Sequence, residues 1–370
     1  MLKLLFITHE ASRTGAPIVL LEYLKWIRAN RDRWQIFVLS LNTGPLSEEF
    51  RSVAHEFYEH PGKMSKSYSR KLPVINKSIK RKNKVFGALA KEGFDIIYAN
   101  TVVSIPVACN LNYLNSARVI AHIHEMETVI NLLLPNFADY ISDITAFITP
   151  SNIARNQLTK NYKIKADDVT VLNEFVKLAV PSNYVREKDY ILIGGCGTVH
   201  WRKGSDLFIQ IAAFIKNRYP NLKIIFRWAG AMSRQEELIA NSDIKKAGLE
   251  ETVFFIGEKS DLNLFLNSLD IFLLTSREDP FPLVAIEAAQ RGKPIICFDK
   301  ATGTAEKLKD GGGKVVPYLD VKSMAEAILF YIENTEELLR DGNTAKQNFA
   351  QLIPEVMGEK YSIFLENILN

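Results

Sequence analysis

Short apolar runs separated by longer stretches of helical period occur in two successive series along this chain, and that pattern limits what it can fold into. The runs at 2–8, 35–41, 95–99, 118–122, 144–149 and 169–172 form one series; those at 190–194, 223–228, 253–257, 271–275, 294–298 and 314–316 form the second. They are continuous in Ile, Val, Leu and Phe instead of alternating with polar residues, as strands buried on both faces of a parallel sheet are. Their alternation with helical stretches makes each series a set of βαβ units. A polar, proline-containing stretch at 180–189 separates the series, and helical period takes over after Val316, at 325–332, 335–350 and 355–369. The expectation is two domains, 1–183 and 187–352, followed by a terminal helix at 355–370. With 370 residues, each half is long enough to bury its own core.

Three widely spaced cysteines, Cys109, Cys196 and Cys297, fit neither a disulfide framework nor a CxxC metal site, so a reducing compartment is expected. The first ten residues read as a strand instead of a signal peptide, and no apolar stretch reaches 18 residues. A cytoplasmic chain is the expectation. Its net charge of +4 is unevenly placed: residues 63–84 hold nine Lys or Arg and no Asp or Glu, leaving the remainder net acidic. That segment reads either as a solvated surface or as a docking site for anionic lipid headgroups, at the inner face of a membrane, or for an anionic acceptor. Nucleic acid fits poorly, since only Tyr68 and Phe86 are available to stack on bases.

Open α/β sheets bind ligands beyond the carboxyl ends of their strands, so the loops that follow strands carry the functional candidates. After the first run, Gly15 opens a helix in SRTGAP, where free N–H donors suit an anion; plain turn chemistry explains the glycine as well. After the run at 118–122 comes HIHE, in which His122 and His124 share one face of an extended chain. Two histidines with no evident third ligand argue against a metal, and His124 reads as a hydrogen-bonding or acid–base group, or as a structural one. The second series opens with GGCGTVHWRKGSD. Arg202 and Lys203 there are placed to neutralise a diphosphate, ahead of a helix capped by Ser205 or Asp206, and the spacing is not that of a Walker A loop. In SREDPFPLVAIEAA, Pro280 and Pro282 force an extended loop before a helix that begins near Leu283. The N–H groups of Leu283 and Val284 would face an anion and Glu287 would accept from hydroxyls; an acidic first helical turn is the plainer reading.

Together these stretches resemble the family 4 retaining glycosyltransferases of the GT-B fold. That family carries an acid, seven residues and a second acid in a segment E-x-F-G-L-V-x-x-E-A; here the equivalents are Asp279, Phe281, Leu283, Val284, Glu287 and Ala288, then Gly292 and Pro294, then Thr302, Gly303 and Glu306. The resemblance extends to Gly197 and the Lys203-Gly204 pair, to the Gly15 loop and to His124 followed by an acid. It implies two Rossmann-like, doubly wound parallel-sheet domains facing a central cleft, the first binding the acceptor and the second the nucleotide-sugar donor, with the last helix returning to the first domain. It also implies roles. Lys203 would contact the donor diphosphate, the backbone at Leu283 and Val284 phosphate or sugar, Glu287 the ribose, Asp279 the sugar hydroxyls and His124 the sugar near its reacting face. The loop around Ile256, Gly257 and Glu258 would hold the base edge through backbone hydrogen bonds.

The chain departs from the family at three positions: Asp279 replaces a Glu, Thr198 stands where Arg is frequent, and Pro282 replaces a Gly. Arg202 is expected to supply the charge that Thr198 lacks. The reaction implied is transfer of a hexosyl unit from a nucleotide sugar, a UDP-sugar by family frequency, to a glycan or lipid-linked acceptor in polysaccharide synthesis. No DxD motif occurs, so no metal and no other cofactor is expected. A GT-B epimerase, a phosphorylase or a nucleotide-sugar binding protein without turnover are the competing readings.

Overall fold

The computed structural model describes residues 1–60, 79–179 and 189–369. Most of the basic segment at 63–84 and the boundaries at 183 and 187 lie outside the described residues. The chain divides into two compact units, Met1–Phe175 with Pro354–Asn370, and Val176–Ile353.

In the first unit, strands β1 (Leu2–Thr8), β2 (Trp34–Ser40), β3 (Glu56–Glu59), β4 (Ile96–Asn100), β5 (Arg118–His122), β6 (Ala146–Thr149) and β7 (Val169–Val171) form a parallel sheet ordered β3-β2-β1-β4-β5-β6-β7. Leu4, in the interior strand β1, lies opposite Ile36 on one side and Ile96 on the other. Leu4 to Ile7 are wholly buried, which is why this strand needs four consecutive apolar residues. Helix Gly15–Asn30 buries Val19, Leu20, Tyr23, Leu24 and Ile27, a stripe of helical spacing in which each large side chain contributes about 1.5–3 kcal/mol. Helix Pro354–Leu369 packs against it within the same unit: Tyr23 and Ser362 share a hydrogen bond, and Arg31 pairs with Glu359 at 2.8 Å.

The second unit repeats the plan. Strands β8 (Ile191–Cys196), β9 (Ile224–Ala229), β10 (Val253–Phe255), β11 (Ile271–Leu274), β12 (Ile295–Phe298) and β13 (Gly313–Val316) form a parallel sheet ordered β10-β9-β8-β11-β12-β13. Its core runs through Ile193, Phe208, Phe226, Leu273 and Ile296. In both units the chain builds outward from the first strand, then crosses back to its other side. The order thus reverses between β1 and β4 and again between β8 and β11, leaving a crevice at the carboxyl ends of those strands.

All twelve expected strands are present, with ends shifted by up to two residues. One strand was not expected. Glu56–Glu59 sets two aromatic residues between two charged ones at the sheet edge, where only one neighbour and partial burial are available.

Candidate functional site

In the second unit, the loops after β8 and β11, the two strands that flank the reversal, bring the predicted cations to the predicted acid. Lys203 donates from Nζ to Asp279 Oδ2 at 2.5 Å, and Arg202 donates from Nη1 to Asp279 Oδ1 at 3.1 Å and to the Glu278 carbonyl at 2.9 Å. Ser276 donates its hydroxyl to Oδ2 at 3.1 Å. Asp279 is buried; burial alone would raise its pKa, but the charges of Lys203 and Arg202 outweigh that and hold the carboxyl below the usual range. Two cations on one anion leave the cluster formally positive.

Local structure explains why the loops meet. Gly204, at φ 70°, turns the chain into helix Ser205–Arg218; a Cβ there would lie 2.0 Å from the Thr275 carbonyl oxygen, so only glycine allows the two loops to touch. Arg277 ties them further. Its guanidinium grips both carboxylate oxygens of Asp206 at 2.8 Å and donates to the Trp201 carbonyl, while its N–H donates to the Arg202 carbonyl at 2.7 Å. The expected cap of this helix is corrected accordingly: Gly204 holds the cap position with no side-chain bond, because Asp206 faces Arg277.

Helix Leu283–Gln290 begins at the expected residue, with Pro282 as its cap. Asp279 N–H donates to the Ala301 carbonyl and Gly303 N–H to the Pro280 carbonyl, both at 2.8 Å, which fixes the proline-rich loop against Thr302. The first N–H groups of the helix, Leu283 and Val284, have no acceptor within it. Glu287 lies one turn on, half-buried; burial pushes its carboxyl up against the pull of Arg291, with Asp261 adding to the rise. Cys196, at the end of β8, senses both groups. Burial raises its thiol to about 12, Lys203 opposes and Glu287 adds to the rise. The loop after β10 is partly committed already: Ile256 N–H donates to the Trp228 carbonyl and Gly257 C=O accepts from Gly230. A base edge is left with its other backbone groups, those of exposed Glu258 among them.

In the first unit, His124 lies two residues beyond β5. Its Nδ1 is 2.6 Å from Glu174 Oε1 and its Nε2 is 2.9 Å from Asn100 Oδ1. Burial lowers its pKa, but the charge and hydrogen bond of Glu174 raise it more. His122 does share the face, its ring centroid 3.7 Å from that of His124, yet it belongs to the core: it is buried, bonded to Tyr98 Oη at 2.7 Å, and held well below the usual histidine range by burial and by His124. Glu174 supplies the third candidate ligand that the sequence left open, within 4.8 Å of both histidines. A contact of 2.6 Å is nevertheless a hydrogen bond, since two ligands on a tetrahedral ion with bonds of ~2.0 Å lie ~3.3 Å apart.

Gly15 is exposed at the start of its helix, and the loop before it carries an anion of its own. The His9 hydrogen bond does most to hold the Glu10 carboxyl down, to about 2 against burial, and Ser12 donates to it at 2.5 Å. A phosphate at Gly15 would meet that charge. Glu10, Asn100, Glu174 and Arg277 were not assigned a role from the sequence, although each lies at or just beyond the end of a strand.

The model of the Glycosyltransferase Family 4 matches residues 14–180, and that of the Glycosyl transferases group 1 matches residues 180–348. The chain belongs to the family 4, group 1 glycosyltransferases. Among relatives of this family, the lipopolysaccharide core biosynthesis mannosyltransferase LpsB of Rhizobium meliloti is 27% identical over 154 residues, 40% of this chain and 42% of that protein. The amylovoran biosynthesis glycosyltransferase AmsD of Erwinia amylovora is 26% identical over 221 residues, 54% of this chain and 62% of that protein. The chain spans about half the length of the curated relatives it matches. Among solved structures, Anabaena HepE in complex with UDP and glucose matches with a TM-score of 0.81 at 16% identity, covering 99% of this chain and 100% of that one. The sucrose-phosphate synthase from Thermosynechococcus elongatus matches at 0.77, also at 16% identity, covering 100% and 99%. With its two parallel-sheet, Rossmann-like units, this family member has the GT-B α/β fold.

Proposed function

We propose that this chain is a retaining glycosyltransferase that moves a hexosyl unit from a nucleotide sugar, a UDP-sugar in the first instance, to a glycan or lipid-linked acceptor in cell-surface polysaccharide synthesis. The Arg202–Lys203–Asp279 cluster at the reversal of the second sheet carries the reading. Breaking the bond from the anomeric carbon to phosphate leaves negative charge on the departing diphosphate. A net positive cluster beside the free N–H groups of Leu283 and Val284 stabilises that charge more as it grows. Charge supplied by the chain itself takes the place a divalent ion holds in other transferases, and no metal is needed for turnover. Glu287 binds the ribose, Asp279 and His124 position the donor sugar, and the first unit takes the acceptor. The names of LpsB and AmsD, and the UDP and glucose of HepE, support the acceptor and donor classes.

The chain acts in the cytoplasm, with residues 63–84 meeting the anionic face of the membrane; among the described residues no helix is long and apolar enough to cross one. Sedimentation with liposomes that shows no dependence on anionic lipid removes that part.

A thermal-shift screen against UDP-, GDP- and ADP-sugars identifies the donor, because a ligand stabilises in proportion to ln(1 + [L]/Kd). Transfer to a panel of glycan and polyprenyl-linked acceptors follows, with and without EDTA. Retained anomeric configuration and unchanged rate in EDTA are expected. Inversion overturns the mechanism, loss of activity in EDTA overturns metal independence, conversion of the nucleotide sugar without acceptor makes the chain an epimerase, and binding without turnover makes it a binding protein.

A further inference from the structure

Three elements of the first sheet end around one imidazole. Asn100 is the last residue of β4, His124 follows β5 and Glu174 follows β7. The Asn100 amide has a fixed orientation, since its Nδ2 donates to the Ala16 carbonyl at 3.1 Å and so turns Oδ1 toward His124 Nε2. An amide oxygen only accepts, so Nε2 carries a hydrogen. The next residue, Thr101, is a β-branched residue at φ 99°, a strained backbone directly beside the group that orients the histidine. On the other side of the ring, one proton is shared between Nδ1 and Glu174 Oε1. The charge of Glu174 and its short hydrogen bond favour the proton on Nδ1 against burial. Glu174 is buried, and its second oxygen has no hydrogen-bond partner among the described residues, so His124 is the charge that compensates it.

We propose that Glu174 is a positioning residue that holds His124 as a doubly protonated imidazolium, with ring plane and positive charge both fixed. An imidazolium whose two N–H groups are bound to Glu174 and Asn100 has no lone pair for a proton, so His124 serves as a fixed charge and not as a general base. The other titratable groups around it are consistent with this. His122, stacked on the ring, is neutral; Glu125 accepts the His124 backbone N–H at 3.0 Å and is itself influenced by His9; Tyr98 is bonded to His122; and Tyr361, on helix Pro354–Leu369, stands 5.7 Å from His122. Burial opposes the cation and Glu174 outweighs it.

The test is 15N and 13C spectroscopy of the full chain, labelled at His and Glu, against pH. Both His124 nitrogens are expected to keep protonated shifts at a pH where an ordinary histidine has become neutral. In Glu174→Gln the ring turns neutral there, and Glu174→Asp restores much of the cation. A neutral Nδ1 beside a carboxylic-acid signal from Glu174 in the wild-type chain overturns the proposal, and that measurement needs no variant to fold. The kinetic arm rests on the proposed transferase activity: Glu174→Gln should move the alkaline limb of kcat/KM to lower pH, with donor KM within about twofold. Spectra as expected with an unmoved limb keep the ion pair and overturn the role of His124 in transfer.

Discussion

Lys203 Nζ lies 2.5 Å from Asp279 Oδ2, and the same carboxylate receives Arg202 on its other oxygen. The acid that the family resemblance assigns to sugar hydroxyls is thus also the group that sets the two cations in place. Its burial makes the arrangement interdependent, because removing either side leaves the other uncompensated.

Lys203→Ala should lower kcat/KM by about 100-fold, the equivalent of ~3 kcal/mol of transition-state stabilisation. Steady-state transfer assays with the donor found by thermal shift check this. A near-normal rate would remove Lys203 from the site.

Asp279→Asn tests the holding role through pH. A depressed carboxyl contributes stability above its unfolded pKa of about 3.9, and that contribution is lost as pH falls through the lower folded value. The variant should therefore be less stable than the parent at neutral pH, with the gap closing in acid. Urea denaturation near neutrality and in acid measures it, and a gap that is constant with pH contradicts the charge pairing.

Glu287→Gln should separate binding from folding. The described residues form no hydrogen bond to its carboxylate, and burial disfavours its charge, so stability should stay level or rise by up to ~1 kcal/mol. UDP affinity should fall by about tenfold or more, since a hydrogen bond to a charged group contributes about 1.5–3 kcal/mol. Differential scanning and titration calorimetry report the two effects separately.

Two glycines with the same φ of 70° make a controlled comparison. Gly204→Ala places a methyl 2.0 Å from a carbonyl oxygen, whereas at Gly257 nothing lies within 4 Å. The second substitution should cost only the left-handed backbone, about 1–2 kcal/mol. The first should cost several times as much and abolish activity with it. Equal losses in denaturation would mean that the loops after β8 and β11 do not meet.

The fold was legible because parallel strands buried on both faces leave continuous apolar runs, and β1 and β5 were bounded to the residue. Strand β3 escaped because an edge strand needs no such run. At the site, Arg202, Lys203, Asp279 and the start of the helix at Leu283 could be read from charge and proline placement. Glu174 could not: it stands 50 positions from His124, and only the sheet order that sets β5, β6 and β7 side by side unites them. Its one signal was a charged residue among the apolar Leu172, Phe175 and Val176 of the LNEFV stretch just past a strand.

Helix Pro354–Leu369 completes the first unit, yet the whole of Val176–Ile353 is translated before it. Tyr361, buried on that helix, donates to the Leu172 carbonyl at 3.2 Å and meets the Phe175 ring edge to face, so the first unit lacks part of its interior until those residues leave the ribosome. At about 5–20 residues per second the delay is roughly ten to forty seconds. The second unit, whose residues are contiguous, is complete as that interval ends, so the unit that begins the chain is the last to receive all of its residues.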